Sequence, residues 1–217
     1  MTTALLKDQH LLFIGDSITD CGRRDKVNAP LGCGYVNTFS NLQTLREPAK
    51  TIRITNSGIG GNTAEDLYQR WQDDALLFHP DWLAVKIGIN DCNRYLSNPE
   101  EHHKQCPADF RKYLQGSLKR SVEALPDLQL LLITPFYLSR DSAEDTYRGK
   151  CKTLVGEYQA IVKELAEEFN TRLLDTQALF DAFLEHHPPA KLSQDMVHLN
   201  ELGALILAEG VYTALKG

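Results

Sequence analysis

Three residues at separated points of the sequence have the side chains that nucleophilic acyl transfer needs. Ser17 follows a short apolar run at residues 11–14, and Asp195 and His198 lie three residues apart near the end of the chain. An attacking serine needs a base within hydrogen-bond reach, and that base needs a carboxylate to orient it. Asp195 and His198 can supply both groups from one loop. Ser17, Asp195 and His198 therefore form a candidate catalytic set.

Candidate donors for the negative charge that develops during acyl transfer follow two other apolar segments. Residues 56–63 are rich in glycine, and Asn90 comes two residues after Gly88. A site for acyl transfer needs hydrogen-bond donors aimed at the developing oxyanion. A glycine amide of the first loop and the Asn90 carboxamide are both suitable donors.

Each of these features also has a simpler interpretation. Asp16 and Ser17 are residue types that often cap a helix without doing chemistry. Asn90 and its neighbour Asp91 could form a plain turn. His198 could be an ordinary residue before a helix. Gly-Asp-Ser alone is a weak motif, so the interpretation depends on the whole set occurring together.

Other kinds of site are less well supported. The pattern Gly58-x-Gly60-x-x-Thr63 resembles a dinucleotide-binding loop, but its third glycine is missing and no acidic residue is placed to bind a ribose. Cys21 and Cys92 have no neighbour in sequence that would activate a thiol. The histidine pair at 102–103 has no further metal ligands at useful spacing. We therefore expect neither a metal nor an organic cofactor.

The elements that must position these residues alternate between strands and helices. Apolar and β-branched runs predict strands at residues 11–14, 51–55, 82–87, 128–134 and 172–175. Helices are predicted at residues 35–45, 63–78, 107–125, 146–170, 177–185 and 200–215. This alternation is typical of a parallel sheet with helices on both faces, in one domain over residues 1–217. Ligands of such sheets bind at the carboxyl ends of the strands, where the candidate residues lie.

Composition limits the partners and the location of the protein. The 217 residues carry a net charge of -6, which argues against nucleic-acid and anionic-membrane partners. The first ten residues lack an apolar run long enough for a signal peptide, and no segment approaches the roughly 20 apolar residues of a membrane span. Five cysteines without Cys-x-x-Cys spacing predict reduced thiols in the cytoplasm. The histidines other than His198, which include His10, are expected at the surface.

Four short motifs resemble the conserved blocks of the SGNH, or GDSL, hydrolases. They are Gly-Asp-Ser at 15–17, Gly61 before Asn62-Thr63, Gly-Ile-Asn-Asp at 88–91 and Asp195-x-x-His198. The resemblance implies a three-layer α/β/α sandwich with a flavodoxin-like, five-stranded parallel sheet in the order 2-1-3-4-5. It also implies a Ser17–His198–Asp195 triad. The implied oxyanion hole consists of the Ser17 amide, the Gly61 amide and the Asn90 side chain.

Within that family, the chain is similar to the intracellular acetylxylooligosaccharide esterases. The similarity rests on residues 19–23, 31–36, 70–71, 80–82, 134–137 and 175–177. It implies removal of acetyl groups from short xylan fragments and assembly into a homo-oligomer. Those relatives tend to carry an aromatic residue at the position that Gln194 occupies here, and they continue with aromatic residues beyond the last helix.

We therefore predict a carboxylic ester hydrolase that removes short acyl groups, chiefly acetyl, from acetylated sugars. A general short-chain esterase, thioesterase or lysophospholipase is the main alternative, and a non-catalytic binding protein on the same fold is another. Asp16 and Asp91 are predicted to brace their loops by hydrogen bonds. Arg23 is predicted either to pair with Asp20 or to contact the substrate.

Overall fold

A parallel five-stranded sheet forms the centre of the molecule in a computed structural model that describes residues 3–216. Its strands run in the order β2-β1-β3-β4-β5. Their bounds are β1 His10–Gly15, β2 Arg53–Gly58, β3 Trp82–Lys86, β4 Gln129–Ile133 and β5 Arg172–Leu174. In this register Gly15, the last residue of β1, is level with Gly58 on one side and Lys86 on the other. The carboxyl ends of three strands thus meet at one edge, and the predicted strand order is confirmed.

Helices cover the sheet in two packed groups. Helix α8 contacts both α2 and α7, and the contacts of α3 with α5, α5 with α6 and α6 with α4 form the second group. Their bounds are α1 Ser17–Asp20, α2 Tyr35–Arg46, α3 Ala64–Asp74, α4 Ile89–Ser97, α5 Pro107–Ala124, α6 Tyr147–Glu168, α7 Thr176–Leu184 and α8 Glu201–Ala214. This arrangement confirms the predicted α/β/α sandwich.

The core is apolar and aromatic on both sides of β1. Residues 11–14 are completely buried, as is typical of a strand covered on both faces. Phe13 packs edge-on against Tyr35 and Phe39, with ring centroids 5.7 and 5.6 Å apart. Such edge-to-face pairs add directional stabilisation to the burial of apolar surface. The strand that leads to Ser17 is therefore held firmly in the core.

Strand β2 extends further than its sequence predicts. Residues 56–58 were expected in a loop because they are polar or small, yet they are buried and continue the ladder with β1. The Asn56 side chain explains this burial, since its amide donates to the carbonyls of Thr19, at 2.6 Å, and Leu31, at 2.8 Å. The buried amide group of Asn56 is thus paired with backbone carbonyls that are far away in sequence.

Helix α4 was not predicted, and helix α3 is shorter than predicted. Asn90 and Asp91 lie in the first turn of α4, which begins directly after Gly88. Gly88 has a φ of 127°, a conformation that glycine adopts without strain. Helix α3 ends at Asp74, and a separate 3₁₀ turn, Leu76–Phe78, follows it. The start of α4 was missed because it follows the sharp turn at Gly88. The predicted helix at 63–78 was too long because α3 and the 3₁₀ turn after it are adjacent in sequence.

One histidine expected at the surface is buried. His10 lies in β1, with Nε2 2.8 Å from the hydroxyl of Thr55 and Nδ1 accepting a hydrogen bond from Arg53 at 2.9 Å. Because the guanidinium can only donate, the ring proton sits on Nε2. Burial lowers the pKa of His10, and the charge of Arg53 lowers it further.

Candidate active site

Ser17 is the first residue of the one-turn helix α1, directly beyond the end of β1. Asp16 caps this helix, and its carboxylate accepts a hydrogen bond from the Ile18 N–H at 3.0 Å. The helix ends at Asp20, and the next residue, Cys21, donates its N–H to the Ser17 carbonyl at 2.9 Å. Within residues 3–216 no protein acceptor is paired with the Ser17 N–H, as expected for the first residue of a helix. That N–H is available to a ligand.

A buried ion pair supports the turn from below. Lys86, at the end of β3, and Asp16 are both fully buried, with Nζ 3.8 Å from a carboxylate oxygen. The ammonium group also lies over the ring of Phe136 at 4.9 Å. Burial lowers the pKa of Lys86, and the negative charge of Asp16 opposes that effect. A buried charge is tolerated only near an opposite charge, so Lys86 holds Asp16 in place.

His198 joins Ser17 to Asp195 through both nitrogen atoms of its ring. The Ser17 hydroxyl lies 2.9 Å from Nε2, and Nδ1 lies 2.6 Å from the Asp195 carboxylate. A carboxylate can only accept, so Nδ1 carries the proton and Nε2 accepts the hydrogen bond from Ser17. The structure therefore brings together the three residues that the sequence singled out.

The Asp195 carboxylate is fixed by its own loop. One oxygen accepts hydrogen bonds from the backbone N–H of Val197 at 3.0 Å, the N–H of His198 at 2.7 Å and the hydroxyl of Ser193 at 3.0 Å. Burial acts to raise the pKa of Asp195, but the hydrogen bonds from His198, Val197 and Ser193 outweigh it and lower the pKa well below its usual range. Sequence reasoning missed Ser193, although a serine two residues before an aspartate is well placed to bond to it.

The glycine-rich loop after β2 presents one unused amide. Gly61 has a φ of 82°, and within the described part of the chain no protein acceptor is paired with its N–H. The N–H of Gly60, by contrast, donates to the Asp20 carboxylate at 3.0 Å. This difference favours Gly61 as the donor that faces a ligand, as the resemblance implied.

The Asn90 side chain is anchored by one of its two hydrogens. Its Nδ2 donates to the carbonyl of Asn62 at 3.0 Å. A carboxamide nitrogen carries two hydrogens, so one donor remains for a ligand. This contact ties the start of α4 to the glycine-rich loop.

Arg70 connects the same loop to the ends of two strands. Its guanidinium donates to the Asn62 side chain at 2.7 Å, to the carbonyl of Ser57 at 2.8 Å and to the carbonyl of Gly15 at 3.2 Å. It also pairs with Asp74 at 2.8 Å. The fixed fork of donors in arginine suits such multiple contacts. No sequence pattern predicts this bridging role of Arg70.

Asp91 is a buried carboxyl in the first turn of α4 that bonds to the start of α3. Its two oxygens lie 3.0 and 3.2 Å from the Ala64 N–H. Burial raises the pKa of Asp91 to about 7, although the hydrogen bonds from Ala64 and its own backbone act in the opposite direction. Asp16 thus bonds to the backbone of its own turn, whereas Asp91 links the first turn of α4 to the first residue of α3.

The two arginines that follow α1 have different partners. Arg24, rather than Arg23, donates from its side chain to the Asp20 carboxylate at 2.9 Å. The Arg23 side chain donates to the carbonyl of Gly58. Arg23 meets Asp20 only through its backbone N–H, at 3.3 Å, and contact of its side chain with a substrate stays a prediction.

A small cavity adjoins Ser17 and His198. Its volume is about 30 Å³, and its wall includes Ile18, Cys21, Gly34, Tyr35, Leu199 and Ala204. A wider hollow of about 570 Å³ lies beside it along Cys21, Cys33 and Leu199.

Among residues 3–216, no group of three or more histidine, cysteine, aspartate or glutamate side chains is placed to hold a metal ion. Over the same residues, no helix combines the length and apolarity needed to cross a bilayer.

Comparison with known proteins places the chain in a family. Residues 13–206 match the GDSL-like lipase/acylhydrolase family. The chain belongs to this family. It is accordingly a carboxylic ester hydrolase, as predicted.

Individual relatives cover almost the whole chain. An acetylxylan esterase of Geobacillus stearothermophilus is 38% identical over 204 residues, which are 92% of this chain and 90% of that protein. A crystal structure of a variant of that species' acetylxylan esterase, Axe2, has a TM-score of 0.88 at 34% identity and covers 97% of this chain and 95% of its own. LAE5, an alpha/beta hydrolase from the metagenome of Lake Arreo, also has a TM-score of 0.88, at 30% identity over 97% of this chain and 96% of its own. Three solved Axe2 variants called catalytic mutants replace a serine, an aspartate and a histidine with alanine.

The raised pKa of Asp91 predicts how stability depends on pH. The folded state holds this proton up to about pH 7, whereas the unfolded chain releases it near the ordinary value of 3.8. Because the folded state binds more protons between those values, the Asp91 contribution destabilises the protein as pH rises through that range. We expect Asp91→Asn to gain stability relative to the parent from about pH 4 to about pH 8, as measured by urea unfolding.

The matched control is Asp127→Asn, which changes an exposed carboxylate before β4. Its stability difference from the parent should stay the same across this pH range. Parallel pH profiles for Asp91→Asn and the parent would contradict the prediction.

Proposed function

We propose that this enzyme is a serine esterase that removes acetyl groups from acetylated oligosaccharides. The observation that carries the proposal is the unbroken chain of hydrogen bonds from Ser17 through His198 to Asp195, at 2.9 and 2.6 Å. Family membership and the acetylxylan esterase relative support the same reaction. The replaced residue types in the Axe2 catalytic mutants also agree with this set.

In the first step the Ser17 hydroxyl attacks the acyl carbonyl while His198 Nε2 accepts its proton. Asp195 stabilises the imidazolium and keeps the other ring nitrogen protonated. His198 then returns the proton to the sugar oxygen as the ester bond breaks, which leaves an acyl group on Ser17. In the second step His198 activates water, and attack on the acyl group releases acetate and restores Ser17.

Three donors stabilise the oxyanion in both steps. They are the N–H groups of Ser17 and Gly61, which have no protein acceptor among residues 3–216, and the second Nδ2 hydrogen of Asn90. Arg70 supports this hole, because it links the loop of Gly61 to the strand that leads to Ser17. Donors that are already oriented need little rearrangement when charge develops.

The small cavity favours a short acyl group. A single water needs roughly 10–15 Å³ of such space, so a cavity of about 30 Å³ holds no more than a few atoms. The side chains of Asp195 and His198, by contrast, are 55% and 57% exposed. An open surface on the histidine side allows a sugar to approach, whereas the cavity limits the acyl chain.

Chain-length preference tests the acyl specificity. We expect the purified enzyme to cleave 4-nitrophenyl acetate with a higher kcat/KM than the butyrate, and to be slowest on the octanoate. Acetate release from acetylated xylo-oligosaccharides should exceed release from an acetylated simple alcohol. A preference for octanoate would instead support a lysophospholipase or long-chain thioesterase.

Replacement of Ser17 tests the nucleophile. Ser17→Ala should fold normally, because it removes one partly exposed hydroxyl, and should lose activity by roughly 10⁶-fold. It should also fail to form the covalent adduct that an organophosphonate forms with the parent, as measured by intact mass. Ser57→Ala, which removes a hydroxyl from the neighbouring β2, is the control and should still form the adduct. An adduct on Ser17→Ala would place the nucleophile elsewhere.

Replacement of Asn90 tests the oxyanion hole. Asn90→Ala should lower kcat by about 10²–10³, which corresponds to about 3–4 kcal/mol, and should change KM little, since the bond strengthens only as charge develops. Asn90→Asp should be at least as damaging, because it places a carboxylate beside the oxyanion.

Melting temperature measured on the same samples separates catalysis from stability, since Asn90 also bonds to Asn62. The control is Asn93→Ala. It removes another carboxamide of α4, whose oxygen accepts a hydrogen bond from the Tyr147 hydroxyl. It should keep kcat near the parent value. A stable Asn90→Ala protein with unchanged kcat would remove Asn90 from the site.

A further inference from the structure

Four of the five cysteines lie in two pairs with adjacent sulfur atoms. The Sγ atoms of Cys21 and Cys33 are 3.5 Å apart, and those of Cys92 and Cys151 are 3.7 Å apart. All are free thiols. The acyl-transfer mechanism uses none of them.

Solvent access distinguishes the two pairs. Cys33 is exposed and Cys21 is half-buried, whereas Cys92 and Cys151 are both completely buried between α4 and α6. A thiol reacts with a soluble reagent only where the reagent can reach it. The first pair is therefore open to chemistry from solution, and the second is an internal control within the same chain.

The local backbone holds the exposed pair together. The Cys33 N–H donates to the Cys21 carbonyl at 2.9 Å, and the Cys33 thiol contacts the same carbonyl at 3.2 Å. A Cβ on the next residue, Gly34, would lie 2.8 Å from the Cys21 Cβ and 3.0 Å from its Sγ. The absence of a side chain at Gly34 thus leaves the space in which the two thiols meet.

This pair also adjoins the esterase site. Cys21 ends the helix that Ser17 begins, and its N–H donates to the Ser17 carbonyl. Its side chain forms part of the wall of the small cavity beside Ser17 and His198. A change in the position of Cys21 therefore alters a wall of the catalytic pocket.

We propose that Cys21 and Cys33 form a dithiol modification site that reacts with small soluble disulfides, such as oxidised glutathione, and that the resulting internal disulfide slows the esterase. The formation of the bond is independent of the proposed function, whereas the effect on rate rests on it.

The reaction proceeds by two thiol–disulfide exchanges. The Cys33 thiolate attacks one sulfur of the small disulfide, whose S–S bond breaks and releases one thiolate. The Cys21 thiolate then attacks the Cys33 sulfur and expels the second thiolate. Two protein thiols are oxidised, one small disulfide is reduced to two thiols, and the two protein protons pass through solvent to the leaving thiolates.

The order of attack follows from exposure. Cys33 is the accessible sulfur, so it meets the reagent first. Burial and the contact with Cys33 raise the pKa of the Cys21 thiol to about 11, which disfavours Cys21 as the first nucleophile. Its proximity to Cys33 makes the second exchange intramolecular and therefore fast.

Bond formation must bring the two sulfur atoms closer together. They have to approach from 3.5 Å to about 2.0 Å, and the new covalent bond ties the Cys21 side chain in the cavity wall to the exposed Cys33. Since small misplacements near reacting atoms are costly, kcat/KM for 4-nitrophenyl acetate should fall by about 10- to 100-fold.

The test treats the purified full chain with oxidised glutathione and then maps disulfide-linked peptides by mass spectrometry. We expect a link between Cys21 and Cys33, a loss of two hydrogens from the intact mass, a slower esterase, and recovery of both mass and rate with dithiothreitol. Cys33→Ser should retain its activity under the same treatment. Cys151→Ser and Cys106→Ser should respond as the parent does.

Two results would overturn the proposal. One is the absence of a Cys21–Cys33 link, whether or not Cys92 and Cys151 have become linked. The other is a linked protein with the same kcat/KM as the reduced protein. Peptide mapping does not depend on activity, so a linked protein whose reduced form has no esterase activity would support the dithiol site while contradicting the acetylesterase function.

Discussion

Close approach of the α1 turn to the sheet edge is the constraint on which the site depends. A Cβ at Gly15 would lie 2.5 Å from the hydroxyl oxygen of Thr19, and one at Gly58 would lie 2.2 Å from the Asp20 nitrogen. Such contacts are impossible, so both strand ends require glycine for the turn to lie directly across them. Only with this approach does Ser17 come within reach of donors from the loops after β2 and β3. Gly15 and Gly58 are therefore required for backbone packing, and this packing in turn positions Ser17.

The buried and exposed halves of the site are stabilised by different means. Beneath Ser17, the charges of Lys86 and Asp16 are fully buried, so neither can be removed without leaving the other unpaired. Above it, Asp195 and His198 are more than half exposed, and solvent would weaken a simple ion pair between them. The three further hydrogen bonds that one Asp195 oxygen accepts keep that carboxylate fixed in the open. The turn beneath Ser17 is therefore held rigidly, while Asp195 and His198 remain accessible from solution.

The sequence predicts what depends on local pattern and fails where distant contacts decide. The buried run before Ser17 and the Asp195–His198 spacing are local, and both lie where the pattern indicates. The buried end of β2 was missed because the carbonyls that satisfy Asn56 belong to Thr19 and Leu31, far away in sequence. The bridging role of Arg70 and the meeting of Cys21 with Cys33 likewise depend on the fold, which no spacing rule contains.

The four-residue helix α1 connects all these parts. A single helical turn is not stable by itself, so its shape is imposed by the contacts at its two ends. Asp16 fixes the start, while Asp20, its last residue, accepts a hydrogen bond from Gly60 in the glycine-rich loop after β2. Cys21 closes the helix and bonds back to Ser17. Any change at Cys21 is therefore transmitted over a few bonds both to Ser17 and to the glycine-rich loop after β2, which is the physical basis of the control proposed for the thiol pair.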